Sequence, residues 1–445
     1  MKRRTIPYPK LLAFGFLCLI LLGAGLLSLP ISSKSGVATP FLTALFTATS
    51  ASCVTGLVLV DTFLHWSVFG QVVILALIQI GGIGFMTLLT AFSLALHRTI
   101  SLRERSLLKE NFNMPEIGGM VRLTKRILRG TFLIEGIGAV ILSACLIPTL
   151  GMGDGIYTGI FLSISAFCNA GFDLFGRFGA FASLVPMSNN VVFLATVGCL
   201  ILVGGIGFVV WDDVLKHGYR FRRYRLHSKI ALTVTAGITL FAAVLFFVLE
   251  RGNTGADMSI GQQWIHAFFH SVTPRTAGFN AVDTASLSPS SQFLTILLML
   301  VGGSPGSTAG GIKTVTIAVV FIGVISNLRR RSGYNVFGKR LPKDVLVNAV
   351  SVLGVYFTFF TVGLFALCAL QPQIPFMDLV FESVSAMSTV GMTTGITRQL
   401  VPISQLVVIW MMFCGRIGSL SFAMIFMQKT KQEIALSPEE AVGVG

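Results

Sequence analysis

The sequence predicts an all-α integral membrane protein made of four fused repeats around one central pore, with pseudo-fourfold symmetry. Three observations carry that prediction. The chain is strongly apolar, one short segment occurs four times at near-constant spacing, and the basic loops all fall on one side. Of 445 residues, 53% are hydrophobic, 11% are charged and 37 are Phe. Soluble domains carry about 25% charged residues, so lipid is the expected solvent for most of this chain.

The recurring segment is clearest at 381–392 and ends in Thr389, Val390, Gly391 and Met392. Ten residues before Gly56, Gly171, Gly278 and Gly391 stand Phe46, Phe161, Phe268 and Phe381. Five before stand Ala51, Ala166, Thr273 and Ala386, and two before stand Val54, Asn169, Thr276 and Thr389. One after comes a large apolar residue: Leu57, Phe172, Phe279 or Met392. The glycines are 115, 107 and 113 residues apart. Such regularity asks for an internal repeat, and four copies ask for a shared axis.

The elements follow in order. The N-terminus is basic and then apolar to Leu29, which has the outline of a signal peptide. No small-residue cleavage site follows, and the run fits better as a first membrane helix. Apolar runs at 11–29, 68–96, 131–150, 191–211, 230–249, 345–370 and 401–427 each supply the roughly 20 residues of a crossing helix. An eighth run, 293–325, is interrupted by Gly302, Gly303, Ser304, Pro305, Gly306, Ser307, Thr308, Ala309, Gly310 and Gly311. One recurring segment lies between the spans of each pair. The helix expected at 40–53 is about 21 Å long, too short for a core about 30 Å thick. It should enter, stop and return, which non-helical backbone tolerates only beside water or protein. The expected units are 1–100, 101–217, 218–330 and 331–445, giving eight transmembrane helices and four re-entrant pore helices.

Eight crossings put both termini on one side, and charge says which. The first ten residues hold Lys2, Arg3, Arg4 and Lys10. Residues 98–129 carry eight basic and three acidic side chains, 212–229 six and two, and 329–344 six and one. The opposite loops are near neutral. The positive-inside rule then places both termini and the basic loops in the cytoplasm, in a multi-pass protein of the cell membrane. The net charge of +15 is therefore topology rather than nucleic-acid binding. Anionic lipid and a cytosolic partner are its secondary readings. The cysteines form no CxxC pair, so neither a disulfide framework nor a zinc site is implied.

At each segment's end, glycine reaches backbone angles that a β-carbon forbids. A ring of four inward carbonyls can replace the hydration shell of a monovalent cation, and each preceding half-helix points its partly negative end there. A divalent site would want carboxylates, and none lies in the four cores. This arrangement, with one glycine per segment, resembles the Trk/Ktr/HKT superfamily of potassium transporters over essentially the whole chain. Eight crossings bring it nearest the membrane subunits of Ktr-type uptake systems. By that resemblance, Val54, Thr55 and Gly56, Asn169, Ala170 and Gly171, Thr276, Ala277 and Gly278, and Thr389, Val390 and Gly391 form the selectivity filter. The first three copies depart from Thr-Val-Gly. Glycine in all four is the family's potassium-selective form, and serine in the first would have suggested sodium.

Below the filter, the interrupted run resembles the family's intramembrane gating loop, and a kinked helix with no gating role is the plainer reading. It also imitates a phosphate-binding loop, but Ile312 intrudes before Lys313 and Thr314, and no strand precedes it. Arg416 lies inside the last apolar run, where a charge should face protein or water. The stretch Gly415, Arg416, Ile417, Gly418 parallels Gly81, Gly82, Ile83, Gly84 and Gly204, Gly205, Ile206, Gly207. Arg416 reads either as a fixed positive charge in the ion path or as an arginine tied to loop carbonyls, and the two overlap.

Other polar residues weigh less. His266 and His270 have zinc-like spacing but lack the glutamate of HExxH, so a hydrogen-bonded helix pair is expected. Glu382 is expected to accept hydrogen bonds behind the filter, with direct ion binding as the lesser reading. Asp61 and Asp283, five residues after their glycines, either gather cations at the outer mouth or are solvated. An enzyme would need an intramembrane constellation that the spans lack, and a scaffold would not need four matched glycines. The expected activity is K+ uptake with no organic cofactor; the alternative is a sodium or sodium-coupled carrier. The resemblance implies a homodimer and a cytosolic ring of nucleotide-binding regulatory subunits, which would dock on 98–129 and 329–344.

Overall fold

The computed structural model describes residues 8–84, 120–330, 333–418 and 422. Four of its helices are long and apolar enough to cross a membrane: α1 (Tyr8–Ser28), α4 (Met120–Leu150), α8 (Leu226–Glu250) and α12 (Lys343–Leu370). Each is followed by a shorter helix: α2 (Phe41–Cys53), α5 (Met152–Phe167), α9 (Ile260–Val272) and α13 (Phe376–Met387). Pro40 precedes α2 and Pro375 precedes α13, where a missing N–H costs nothing. Ser259 caps α9 in a capping box with Gln262.

The remaining apolar runs form α3 (Val68–Ile83), α6 (Val191–Ile206), α10 (Pro289–Leu300) with α11 (Thr314–Leu328), and α14 (Pro402–Ile417). Here the expectation of a single broken run is corrected. The run 191–211 is not straight: α6 meets α7 (Phe208–His217) at 96°. The hinge is Gly207, with φ 101°. Helix α3 stops at Gly84 (φ 90°) and α14 at Gly418 (φ 91°). Those values are open to glycine and strained for other residues, so three helices stop at the same motif position. Hydropathy reports only what lies buried and does not distinguish a bent run from a straight one.

The first glycine of that motif explains why the run passes so close to its short helix. A β-carbon on Gly81 would strike the Ser52 carbonyl, one on Gly204 the Phe167 carbonyl, and one on Gly415 the Met387 carbonyl. Each carbonyl lies four residues before its segment's glycine. The expected ends of runs 68–96 and 401–427, the basic charges at 1–7 and most of loop 98–129 lie outside the described residues. A small hairpin, β1 (Tyr334–Val336) with β2 (Lys339–Leu341), joins α11 to α12.

Candidate functional site

The four segments come together. A β-carbon on Gly56 would lie 2.7 Å from the Ala170 oxygen, and one on Gly171 2.9 Å from the Ala277 oxygen. One on Gly278 would strike the Val390 oxygen, and one on Gly391 the Thr55 oxygen. Each glycine thus faces the carbonyl that precedes the next glycine, and the fourth returns to the first. The cyclic order is Gly56, Gly171, Gly278, Gly391.

Backbone angles repeat as well. The glycines have φ of 98°, 70°, 78° and 94°. Two residues earlier, Val54, Asn169, Thr276 and Thr389 have φ of 58°, 59°, 68° and 51°. Three of these are β-branched, for which positive φ is a true outlier. Strain held at equivalent positions points to function. Alternating left-handed and negative φ turns successive peptide dipoles to one side.

Buried hydroxyls hold the turns. Ser50 accepts from Gly56 N–H and Ser385 from Gly391 N–H, both at 3.0 Å. Ser165 accepts from Phe172 N–H at 3.1 Å, and Thr273 donates to the Phe279 carbonyl at 2.6 Å. Serine six before the glycine recurs in copies one, two and four, a signal the sequence reading passed over. Glu382 accepts from the hydroxyls of Thr393 (2.7 Å) and Thr397 (2.6 Å), which follow the fourth turn.

The loop 302–311 lies against the same segments. A β-carbon on Gly310 would strike the Thr389 hydroxyl, and one on Gly311 would lie 3.3 Å from the Ser388 oxygen. Ser304 N–H donates to the Gly205 carbonyl (2.9 Å), Thr308 N–H to that of Gly204 (3.3 Å), and Phe208 N–H to that of Gly306 (2.9 Å). Pro305 faces the hinge: its oxygen lies 2.8 Å from where Gly207 would carry a β-carbon. Thr308 donates to the Phe167 carbonyl at 3.2 Å. Buried Ser304 and the Thr314 hydroxyl are 3.0 Å apart, and Gly302 N–H donates to the Ile312 carbonyl at 2.9 Å. Ala309 is buried, and a β-carbon on Gly303 would meet its side chain and Ser307.

Two cations grip this loop. Arg416 donates to the carbonyls of Thr308, Gly81 and Gly82, the last at 3.4 Å. Lys313 donates to the Ala309 carbonyl at 2.6 Å. Charge-assisted bonds of this kind are about twice as strong as neutral ones. Arg416 thereby joins α14, the loop and α3.

Among the other polar residues, Asp61 departs from both of its expected roles. Asp61 accepts from Phe63 N–H (2.9 Å), Leu64 N–H (2.8 Å) and Phe181 N–H (2.8 Å). It is a buried staple rather than a free mouth charge. Asp283 is exposed and accepts from Ala285 N–H at 3.1 Å. His266 lies 3.1 Å from the Ser188 oxygen, and His270 packs edge-on against Phe246. Among the described residues no three metal-ligating side chains converge. Two buried groups escaped the sequence reading. Arg275 donates to Thr235 (3.2 Å) and Thr239 (3.3 Å) on α8. Glu135 on α4 accepts from Gln79 at 3.1 Å through both oxygens. A lone acid in an apolar run was the available signal for Glu135.

The family model described as TrkH, cation transport protein, matches residues 20–436. The chain belongs to the TrkH family of cation transport proteins. The chain is 40% identical over 441 residues to the Ktr system potassium uptake protein B of Bacillus subtilis, covering 98% of this chain and 96% of that one. It is 38% identical over 449 residues to the potassium/sodium uptake protein NtpJ of Enterococcus hirae, covering 100% and 98%. The crystal structure of the potassium transporter TrkH from Vibrio parahaemolyticus has the same fold, with TM-score 0.77 at 17% identity, over 96% of this chain and 86% of that one. Membership in the TrkH family, with the apolar helices, makes this a multi-pass membrane protein.

Proposed function

We propose that the chain takes up K+ across the cell membrane through a filter of backbone carbonyls at Gly56, Gly171, Gly278 and Gly391. The cyclic contact of each glycine with the carbonyl before the next carries this reading. It argues for four units, 1–100, 101–217, 218–330 and 331–445, each a span, a re-entrant pore helix and a second span. Four short helices ending at the ring add negative dipole ends, and carbonyls replace the water stripped from the ion. K+ is cargo.

Loop 302–311 and Arg416 form the gate under this filter, the arginine repelling cations while it holds the loop. The Ktr-system relative supports a role as the membrane subunit of a Ktr-type system. Its partners are a second copy of the chain, membrane lipid and a cytosolic nucleotide-binding ring on the basic face, both termini being cytoplasmic. The relative named for potassium and sodium supports a second reading, a sodium or sodium-coupled carrier; four glycines favour potassium.

The test is rubidium and sodium uptake into vesicles, with and without Gly391→Ser. The native chain should prefer rubidium, and Gly391→Ser should lose that preference, because its β-carbon meets the Thr55 carbonyl. Equal sodium and rubidium uptake by the native chain would support the second reading instead.

A further inference from the structure

The outer face carries a feature that this function does not use. From Gly171 to Gly204 there are 33 residues, against 25 from Gly56 to Gly81 and 24 from Gly391 to Gly415. The added length lies between Phe175 and Asn190, and it reaches the other three segments. Phe181 N–H donates to Asp61, after Gly56, at 2.8 Å. Ser183 accepts from Asn280 N–H, after Gly278, at 3.0 Å, and Leu184 N–H donates to the Asn280 carbonyl at 3.0 Å. The Arg398 guanidinium, after Gly391, stands 4.2 Å from the centre of the Phe181 ring.

Gly171 and Gly391 are opposite in the cyclic order, each separated from the other by Gly56 and Gly278. A contact between their loops, flanked by anchors on both intervening loops, has to pass over the ring. Phe181 and Ser183 hold φ of 61° and 48°, strain that persists only where surrounding contacts enforce it. Beside the pair, a cavity of about 480 Å3 is lined by Phe178, Ser183, Asn280, Asp283 and Arg398. Arg398 is exposed and its place is set by the aromatic face, a cation–π contact.

We infer that the 175–190 loop is a strap across the outer mouth, and that Arg398, held by Phe181, is an electrostatic barrier to cation entry from outside. This rests on the potassium-uptake reading. The barrier acts before the filter and is separate from the Arg416 gate below it. A fixed positive charge at the mouth lowers the local cation concentration. It therefore raises KM for the ion and leaves kcat, set deeper in the path, unchanged.

Rubidium uptake into right-side-out vesicles tests this with the native chain, Arg398→Gln, Arg398→Lys and Phe181→Ala. At low ionic strength Arg398→Gln should lower KM about threefold or more with kcat unchanged. Arg398→Lys should keep the native KM, because it keeps the charge. Phe181→Ala, which frees the guanidinium, should shift KM in the same direction as Arg398→Gln. An impermeant salt should bring the native KM down to that of Arg398→Gln, since exposed charges are screened. A native KM in Arg398→Gln, or an equal shift in Arg398→Lys, overturns the barrier while leaving the uptake reading intact. A native chain that moves no rubidium overturns both.

Discussion

At the scale of single residues, charge and backbone geometry outweigh side-chain bulk. Arg416 spends its donors on the carbonyls of Thr308, Gly81 and Gly82. Arg416→Ala should therefore both loosen loop 302–311 and remove its charge, raising rubidium flux. Unchanged or reduced flux in a folded variant would count against the gate. Asp173, two residues past Gly171, accepts from Phe175 N–H at 2.9 Å. Burial pushes its carboxyl up to about 7, with Asp61 adding to the rise and that hydrogen bond opposing it. The folded state thus holds this proton more tightly than the unfolded chain. Its contribution to stability falls as pH rises from the ordinary value of 3.8 to about 7. Asp173→Asn should flatten that fall, read by thermal unfolding in detergent across the same pH range.

At the scale of elements, glycine decides where helices stop and how near they come. Gly207 turns α6 into α7 with φ 101°, and a β-carbon there would lie 2.8 Å from the Pro305 oxygen. Gly207→Ala should cost about 1–3 kcal/mol in backbone strain, read by thermal unfolding in detergent. Gly237, inside α8, has nothing within 4 Å of its β-carbon position. Gly237→Ala should leave stability unchanged or raise it by about 0.5–1 kcal/mol. Equal losses in both variants would show that the bend itself carries no strain. The existence of each apolar helix was legible from hydropathy and length. The bend was not, because the apolar run continues past Gly207 through residues 208–211, and hydropathy carries no record of a change in direction.

At the scale of the whole molecule, the four segments form one site only when the entire chain is folded. Each supplies a glycine and a carbonyl, and the last, at Gly391, closes on Thr55 near the start. On the proposed reading an ion held there would link all four segments, so K+ should stabilise the folded chain. At a hundredfold excess over Kd the gain would be about 2.7 kcal/mol. Thermal unfolding in K+ against a bulky organic cation checks this. A midpoint indifferent to K+ would argue against a shared ring, and Gly391→Ser should abolish the shift.

Composition, loop charge and the fourfold recurrence of Phe and glycine already determined that the chain is apolar, helical and internally repeated. They did so because hydropathy, charge and spacing are local properties that can be read without knowing what touches what. Only the tertiary structure decided which carbonyl each glycine meets, that Arg416 bridges Thr308 and Gly81, and that Phe181 reaches Arg398. Those pairings join residues a hundred or more positions apart in the chain. They are chosen by packing and hydrogen-bond geometry in three dimensions, for which a linear pattern carries no record.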